Sequence, residues 1–111
     1  MPFVNTAKLK AREPLPGWTG RYLVTDNLTL AYYDFTAGSE IHEHAHENEE
    51  VWNVLEGELE VRLDGRKRVA GPGVAAVVPS NVRHGVRALT DGRALVVDHG
   101  RRETIAGMRI V

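Results

Sequence analysis

Short runs of alternating apolar and polar residues fill the chain from Tyr22 onward, and turn-forming residues close each run. The clearest run is 58–63, in which Leu59, Val61 and Leu63 alternate with charged residues. Strict alternation is typical of a half-buried β-strand, because successive side chains of a strand point to opposite faces. The pattern predicts strands at residues 28–35, 40–46, 50–55, 58–63, 66–70, 74–78, 82–89 and 93–99.

Many short strands without a convincing helical stripe predict an all-β fold, arranged as a compact antiparallel barrel or sandwich. Prolines and glycines punctuate residues 1–20, so we expect an irregular N-terminal arm there and a single domain over residues 21–111. The run 74–78 is apolar throughout and should be a strand buried on both faces. The tail from Gly100 is expected to be irregular or to form a late strand.

The pair Asp64 and Gly65 predicts a hairpin between the fourth and fifth of these strands. A two-residue loop would place Leu59 opposite Ala70. A three-residue loop, with Gly65 in the left-handed conformation, would place Leu59 opposite Val69. We expect the three-residue loop, because it puts an apolar pair on one face.

The chain has 111 residues, a net charge of −1 and no cysteine, which fits one domain without disulfides. Its charges of both signs are interspersed, so no basic surface points to a nucleic-acid partner. No apolar run approaches the ~20 residues needed to cross a membrane. The first residues lack the basic-then-apolar layout of a signal peptide, so we expect a cytoplasmic protein.

His44 and His46 carry the most evident chemistry in the sequence. On an extended strand both side chains leave the same face, whereas on a helix they would point roughly 200° apart. A carboxylate, Glu50, follows shortly downstream. Because the chain has no cysteine, its metal ligands would have to be nitrogen and oxygen atoms. The sequence therefore predicts a metal site that is carried by a strand.

The spacing of these residues resembles that of the cupin family. The residues at fixed positions are Gly38, His44, His46, Glu50 and Gly57 for the first cupin motif, and Gly73, Pro79 and His84 for the second. Two positions depart from the second motif, with Asn81 in place of its inner glycine and Ala88 in place of its asparagine. Asparagine tolerates left-handed backbone, so the turn can be kept, whereas Ala88 removes a polar group from near the site. The chain resembles a small single-domain cupin.

The resemblance implies a double-stranded β-helix, which is a jelly roll of antiparallel strands, with a metal ion in the barrel mouth. Carried over by position, the implied ligands are His44, His46, Glu50 and His84. One divalent ion per chain is expected, and this ligand set suits Fe, Mn, Ni, Co or Zn. In an octahedral complex two positions would remain open for water or substrate.

Three further side chains are candidates for catalysis: Tyr32, His42 and Asp98. Tyr32 alternates with Tyr33, so one of the two should face the interior, as a proton donor or as packing. His42 shares a face with His44 and could line the pocket, serve as a fifth nitrogen ligand or stay solvated. Asp98 alternates with His99; facing inward, Asp98 would be a general base or would orient a ligand imidazole, and facing outward it would pair with a nearby arginine.

A metal-dependent enzyme that acts on a small organic molecule is the first expectation for function. We place an oxygenase-type reaction first, with an isomerase, lyase or sugar-acid ring-opening reaction as the alternative. Residues 64–69 and 79–85 are similar to pectin-degrading cupins, although that group usually has a glutamine near the position of Glu50. A non-catalytic cupin that binds a small molecule is a further alternative, and a storage role is the least expected.

A homodimer is the expected assembly. A small jelly roll has exposed sheet edges that a neighbouring subunit can cover. The arm at residues 1–20 could also cross between two subunits.

Overall fold

Twelve β-strands and one short 3-10 helix (Thr6–Lys8) make up the computed structural model, which describes residues 2–111. The strands are β1 (Ala11–Leu15), β2 (Trp18–Val24), β3 (Leu28–Phe35), β4 (Glu40–His44), β5 (Glu50–Glu56), β6 (Leu59–Leu63), β7 (Arg66–Ala70), β8 (Ala75–Val78), β9 (His84–Ala88), β10 (Gly92–His99), β11 (Thr104–Ile105) and β12 (Met108–Arg109). Within the described residues no helix is long and apolar enough to cross a membrane.

Two antiparallel sheets face each other. One has six strands in the order β1-β2-β3-β10-β5-β8, and the other has four in the order β4-β9-β6-β7. The strands β11 and β12 form a separate small hairpin near the C-terminus. Neighbouring strands are mostly distant in sequence, as when β10 lies between β3 and β5. The predicted all-β jelly roll is confirmed.

The core lies between the two sheets and follows the alternation of the strands. Trp18, Val54 and Leu59 are fully buried, and each belongs to the inward-facing set of its strand. Trp18 packs edge-on against Trp52 with ring centroids 5.7 Å apart, and Tyr33 stacks on Trp52 at 6.0 Å. Such buried rings each contribute on the order of 2 kcal/mol or more through removal of apolar surface from water.

The expectation of an irregular N-terminal arm is wrong for residues 11–20. β1 and the start of β2 lie there, and both belong to the six-stranded sheet. Pro14 falls within β1, where a proline is tolerated because β1 is an edge strand with an irregularity between Arg12 and Leu15. The glycines and prolines therefore mark an edge strand and a tight turn in this part of the chain.

The hairpin register is the two-residue alternative, so the preferred three-residue loop is wrong. Leu59 lies opposite Ala70, and the last pair of the ladder is Leu63 with Arg66. Asp64 and Gly65 both have positive φ, +48° and +79°, which matches the twist of a two-residue hairpin turn. The geometry of the turn thus outweighs one apolar cross-strand pair.

The apolar run that ends in β8 is buried on only one face. Val78 is fully buried, whereas Val77 is 54% exposed on the other side of the sheet. β8 is an edge strand, and nothing in the described chain covers its outer face at that point. The prediction of burial on both faces is therefore wrong.

Two glycines with the same backbone angle give a stability test. Gly57 and Gly65 both have φ of +79°, but an added Cβ would overlap the carbonyl oxygen of Asp91 at Gly57 and meet nothing within 4 Å at Gly65. We expect Gly65→Ala to lower the free energy of unfolding by about 1 kcal/mol and Gly57→Ala by about 3 kcal/mol. Urea unfolding of both variants measures the difference; equal losses would show that the overlap relaxes at no cost.

Candidate metal centre

Three histidines converge at one end of the space between the sheets. His44 ends β4, His84 begins β9, and the two lie opposite each other in the antiparallel ladder. His46 follows in the loop, since β4 ends two residues earlier than predicted. One nitrogen atom of each ring lies within 4.8 Å of the others, so the three histidines could hold a metal ion.

Backbone carbonyl groups fix which nitrogen of each imidazole faces the centre. The Nδ1 atoms of His44, His46 and His84 lie 2.8, 2.9 and 2.9 Å from the carbonyl oxygens of His42, Asn48 and Val82. A carbonyl oxygen can only accept a hydrogen bond, so each Nδ1 must carry the proton. In the neutral ring Nε2 then has a free lone pair, which is the arrangement a metal ligand needs.

Glu50 adds a carboxylate from the opposite sheet. Its Oε1 lies 3.5 Å from Nε2 of His46, and its Oε2 lies 3.3 Å from Nε2 of His84. Both Nε2 atoms are buried and form no hydrogen bond. A neutral Nε2 and an ionised carboxylate oxygen both present lone pairs, so these contacts are favourable only with a proton or a cation between them. The donor set thus fits a cation.

The surroundings keep Glu50 charged. Burial disfavours its charge, yet the pKa of Glu50 lies below the usual range because four polar side chains point at the carboxylate: His46, His84, Asp98 and Trp52. The indole Nε1 of Trp52 donates a hydrogen bond to Oε2 at 2.6 Å. An anchored, ionised carboxylate is a suitable oxygen donor for a divalent ion.

Two of the histidines have shifted pKa values of opposite sign. Burial, together with the neighbouring His84 and His46, lowers the pKa of His44, outweighing the hydrogen bond to the His42 carbonyl. Burial also acts against the charge of His84, but Glu50 and the Val82 carbonyl raise the pKa of His84 above its usual value. Protons would therefore compete with a metal ion more strongly at His84 than at His44.

Acid should weaken metal binding at this site. Only neutral imidazoles can be ligands, and the raised pKa of His84 means that protons begin to compete above the ordinary histidine value of about 6.5. We expect the association constant to fall by at least about tenfold as the pH is lowered from about 8 to about 5. Titration with Co(II) or Zn(II) at several pH values measures this. A constant affinity over that range would contradict a site with three histidine ligands.

A cavity of about 270 Å³ adjoins two of the three histidines, His44 and His84. Its polar part is formed by His44, His84, Glu50 and Asp98, together with Arg102 at one side. Its apolar walls come from both sheets and from the C-terminal hairpin: Pro14, Leu15, Trp18, Ala31, Tyr33, Ile41, Trp52, Val86, Val96, Ile105 and Ala106. Mostly apolar walls with a few convergent polar groups are typical of a small-molecule site.

Asp98 lines the same cavity as His44, His84 and Glu50. It is 3% exposed and lies directly opposite Glu50 in the pairing of β10 with β5. Its Oδ2 accepts a hydrogen bond from Nη1 of Arg102 at 2.9 Å, whereas its buried Oδ1 has no hydrogen-bond partner. Burial and the adjacent Glu50 raise the pKa of Asp98 to about 7, although Arg102 acts in the opposite direction.

The other catalytic candidates have different positions. Tyr32 points to the outer side of the six-stranded sheet, so the structure does not bring it to the cavity. Tyr33 lines the cavity instead, because the odd-numbered residues of β3 face inward, and its hydroxyl accepts a hydrogen bond from Tyr22 at 3.1 Å. His42 lines the cavity with an exposed side chain and is not part of the histidine group. His99 is exposed, so the inward residue of that pair is Asp98.

Sequence reasoning missed the role of Arg102 and the origin of two cavity walls. The sequence interpretation places an ion pair of Asp98 with a nearby arginine at the surface, but the side chains of Asp98 and Arg102 are only 4% and 22% exposed. Leu15 lies in the segment expected to be irregular, and Ile105 lies in the tail expected to be irregular or to form a late strand. The indication in the sequence is that Arg102 follows Asp98 by four residues. This spacing indicates a pair inside the cavity only if Asp98 faces inward.

A family model described as Cupin domain matches residues 31–100. Since the match covers more than half of the chain, the chain belongs to the cupin family, as the motif spacing had indicated. No curated protein sequence matches it significantly.

Solved structures give the same fold. An RmlC-like cupin from Shewanella frigidimarina NCIMB 400 is 28% identical with a TM-score of 0.86, and the match covers 93% of this chain and 94% of that chain. KdgF from Halomonas sp. is 28% identical with a TM-score of 0.85 and coverages of 93% and 96%. Oxalate decarboxylase from Bacillus subtilis, which has Mn(II) centres, is 19% identical with a TM-score of 0.78. That match covers 91% of this chain but 30% of the decarboxylase, so it shows the fold alone.

Proposed function

We propose that this cupin is a divalent-metal-dependent enzyme that removes a proton from a small anionic substrate and delivers a proton to another atom or to a leaving group, as an isomerase, lyase or ring-opening enzyme does. The observation that carries the proposal is the buried Asp98 carboxyl, which shares one cavity with His44, His84 and Glu50. A carboxyl group with a pKa of about 7 can accept a proton and return it near neutral pH.

The proposed ligands of one divalent ion are His44, His46, Glu50 and His84. The support for this set is that the buried Nε2 atoms of His46 and His84 face the oxygens of Glu50 with no hydrogen bond between them. When bound, a divalent ion supplies a Lewis acid that polarises a carbonyl or enolate oxygen. The ion could be Fe, Mn, Ni, Co or Zn, since imidazole and carboxylate ligands suit each of them.

Asp98 is the proposed general base, and Arg102 positions it. The Oδ2 atom is held by the guanidinium at 2.9 Å, and the buried Oδ1, which has no hydrogen-bond partner, is the atom proposed to take up the substrate proton. Glu50 lies opposite Asp98 and stays charged, so the two carboxyl groups differ in their tendency to hold a proton. Two carboxyl groups with separated pKa values are the usual basis for distinct acid and base roles.

The shape and charge of the cavity indicate the class of substrate. Its volume of about 270 Å³ limits the substrate to a small molecule, and the apolar walls exclude water from the site of proton transfer. Arg102 also lines the cavity, and a guanidinium has further N–H donors for an anionic group of the substrate. A sugar acid or another small carboxylate with a carbonyl or enol group fits these features.

We propose proton transfer in preference to the oxygenase reaction that was the first expectation from the sequence. An isomerisation needs no co-substrate, because the proton that leaves one substrate atom returns at another. Oxygenation has no need of a buried carboxyl held by an arginine. The similarity over nearly the whole chain to KdgF from Halomonas sp. also supports the ring-opening branch, as does the resemblance of two sequence segments to pectin-degrading cupins.

The proposal is tested with protein that is purified without a histidine tag and loaded separately with each of the five metals. Loss of the ultraviolet absorbance of an unsaturated sugar acid reports ring opening. Oxygen uptake against catechols and thiols reports oxygenation. Metal-dependent turnover in the first assay supports the proposal, whereas oxygen uptake alone would make the oxygenase branch correct. Metal binding without turnover in either assay would favour a non-catalytic cupin that binds a small molecule.

A further inference from the structure

The indole of Trp18 carries a buried N–H group that makes no hydrogen bond within the protein. Trp18 begins β2 and is fully buried, at 0% exposure. Its Nε1 has no hydrogen-bond partner among the described residues. A buried indole N–H usually finds a partner, and a buried polar group without one is costly, so each exception needs an explanation.

The other unpartnered polar atoms of the described chain already have an explanation. Nε2 of His46, Nε2 of His84 and Oδ1 of Asp98 belong to the proposed metal ligands and to the proposed base. Nε of Arg21 belongs to a guanidinium that pairs with a carboxylate and does not line the cavity. Nε1 of Trp18 remains, and no step of the proposed reaction uses it.

Three aromatic rings hold the Trp18 indole in place. Its ring centroid lies 6.0 Å from that of Tyr33, 5.4 Å from that of Phe35 and 5.7 Å from that of Trp52. An indole packed in this way cannot turn toward another acceptor, and the faces of neighbouring rings are weak acceptors. Trp18 also lines the cavity. A molecule in the cavity is therefore the available partner for its N–H group.

The free N–H group belongs to the part of the cavity wall that lies away from the carboxylates. Along β3, Trp18 pairs with Phe35, whereas Asp98 pairs with Thr29, six residues away. Six strand residues span about 20 Å, and the indole reaches back over part of this distance to contact Trp52. The Nε1–H group of Trp52 is already used, since it donates a hydrogen bond to Glu50.

The chemistry of the two ends of the cavity defines a class of ligand. An indole N–H can only donate a hydrogen bond, so the ligand must offer an acceptor at Trp18. At the polar end, the proposed function places an anionic group. A six-membered sugar acid has a carboxylate at one end and hydroxyl oxygens at the other, and it is small enough for a cavity of about 270 Å³.

We propose that Trp18 determines substrate specificity by donating a hydrogen bond from Nε1 to a hydroxyl oxygen of a sugar acid whose carboxylate lies at the polar end of the cavity. This inference rests on the proposed function for the class of substrate, and it does not depend on which reaction follows. A site that hydrogen-bonds a hydroxyl group disfavours an analogue without that group, because the buried donor then stays unpaired.

Nuclear magnetic resonance tests the contact in the wild-type protein. The chain has two tryptophans, so two indole N–H signals are present, and Trp18→Phe identifies the signal of Trp18. Protein loaded with Zn(II) is titrated with galacturonate, a saturated sugar acid, and separately with cyclohexanecarboxylate, which has no hydroxyl group. We expect galacturonate alone to shift the Trp18 signal downfield, because a hydrogen bond deshields the donated proton.

Two variants separate the hydrogen bond from packing. Phe35→Leu is the matched control for Trp18→Phe, because Phe35 packs against the same indole, has no polar side-chain atom and does not line the cavity. By calorimetry, we expect Trp18→Phe to weaken galacturonate binding by about three- to tenfold and to leave the affinity for cyclohexanecarboxylate unchanged. Phe35→Leu should leave both affinities near those of the wild type. Thermal unfolding and metal content verify the fold of each variant.

Several results would overturn the inference. Galacturonate that binds without shifting the Trp18 signal would do so, as would galacturonate that fails to bind at about 10 mM. An equal loss of affinity for both acids in Trp18→Phe, or the same loss in Phe35→Leu, would show a packing role instead. Turnover of a sugar acid without the Trp18 shift would leave the proposed function intact, whereas the shift without turnover would contradict the reaction and support the contact.

Discussion

Asp98→Asn lowers turnover of an unsaturated sugar acid by about 10²–10⁴-fold, which is the usual contribution of a general acid or base. Asparagine has nearly the same shape as aspartate and can still accept the hydrogen bond from Arg102. It cannot take up a proton, so the step that is assigned to Oδ1 is lost. The four proposed metal ligands are unchanged, so the metal content per chain should remain that of the wild type.

His99→Asn is the control for this experiment. His99 is the next residue on β10, and its side chain is exposed on the opposite side of the sheet. We expect wild-type turnover and metal content in this variant. If Asp98→Asn retained full turnover with its metal bound, Asp98 would not be the base. If the Asp98→Asn variant also lost its metal, the loss of turnover would be explained by the effect of Asp98 on the proposed ligand Glu50.

His84→Ala should remove bound metal almost completely. The imidazole is 2% exposed, its Nδ1 is fixed by the Val82 carbonyl, and its Nε2 faces Glu50 at 3.3 Å. Loss of a ligand should weaken binding by more than about 100-fold, since loss of a group that merely supports a ligand already costs 10–100-fold. Elemental analysis after loading and dialysis measures the metal per chain.

Two further variants separate ligand loss from damage to the fold. His84→Gln keeps most of the side-chain volume and should also lose the metal. His42→Ala removes an exposed histidine outside the three-histidine group, so its metal content should match the wild type. Metal that remains near one ion per chain in both His84 variants would contradict a site that includes His84.

The position of the site could be predicted well from the sequence, because most of the residues that define the site are close together in the chain. His44, His46 and Glu50 lie close together in the chain, and their intervals, with that of His84, match a family pattern. The convergence of the three histidines then follows from the pairing of β4 with β9, which places His44 opposite His84. The roles of these four residues as metal ligands stay a prediction.

Other features depend on facts that a local pattern does not contain. Alternation shows that Tyr32 and Tyr33 face opposite ways, but which one faces inward depends on the packing of the whole sheet. The approach of Asp98 to Glu50 depends on β10 lying between β3 and β5, a pairing of strands that are distant in sequence. β1 was missed because prolines usually end a strand, and only its place at the sheet edge makes Pro14 acceptable.

The proposed ligands come from both sheets, and this has a mechanical consequence. His44 and His84 belong to the four-stranded sheet, whereas Glu50 belongs to the six-stranded sheet. An ion bound by all three residues would cross-link the two sheets at one end of the sandwich. In a chain without cysteine, this cross-link would stabilise the fold in the way a disulfide does, because it restricts the separation of segments that are distant in sequence. The centre that would bind substrate would thus also hold the mouth of the barrel in shape.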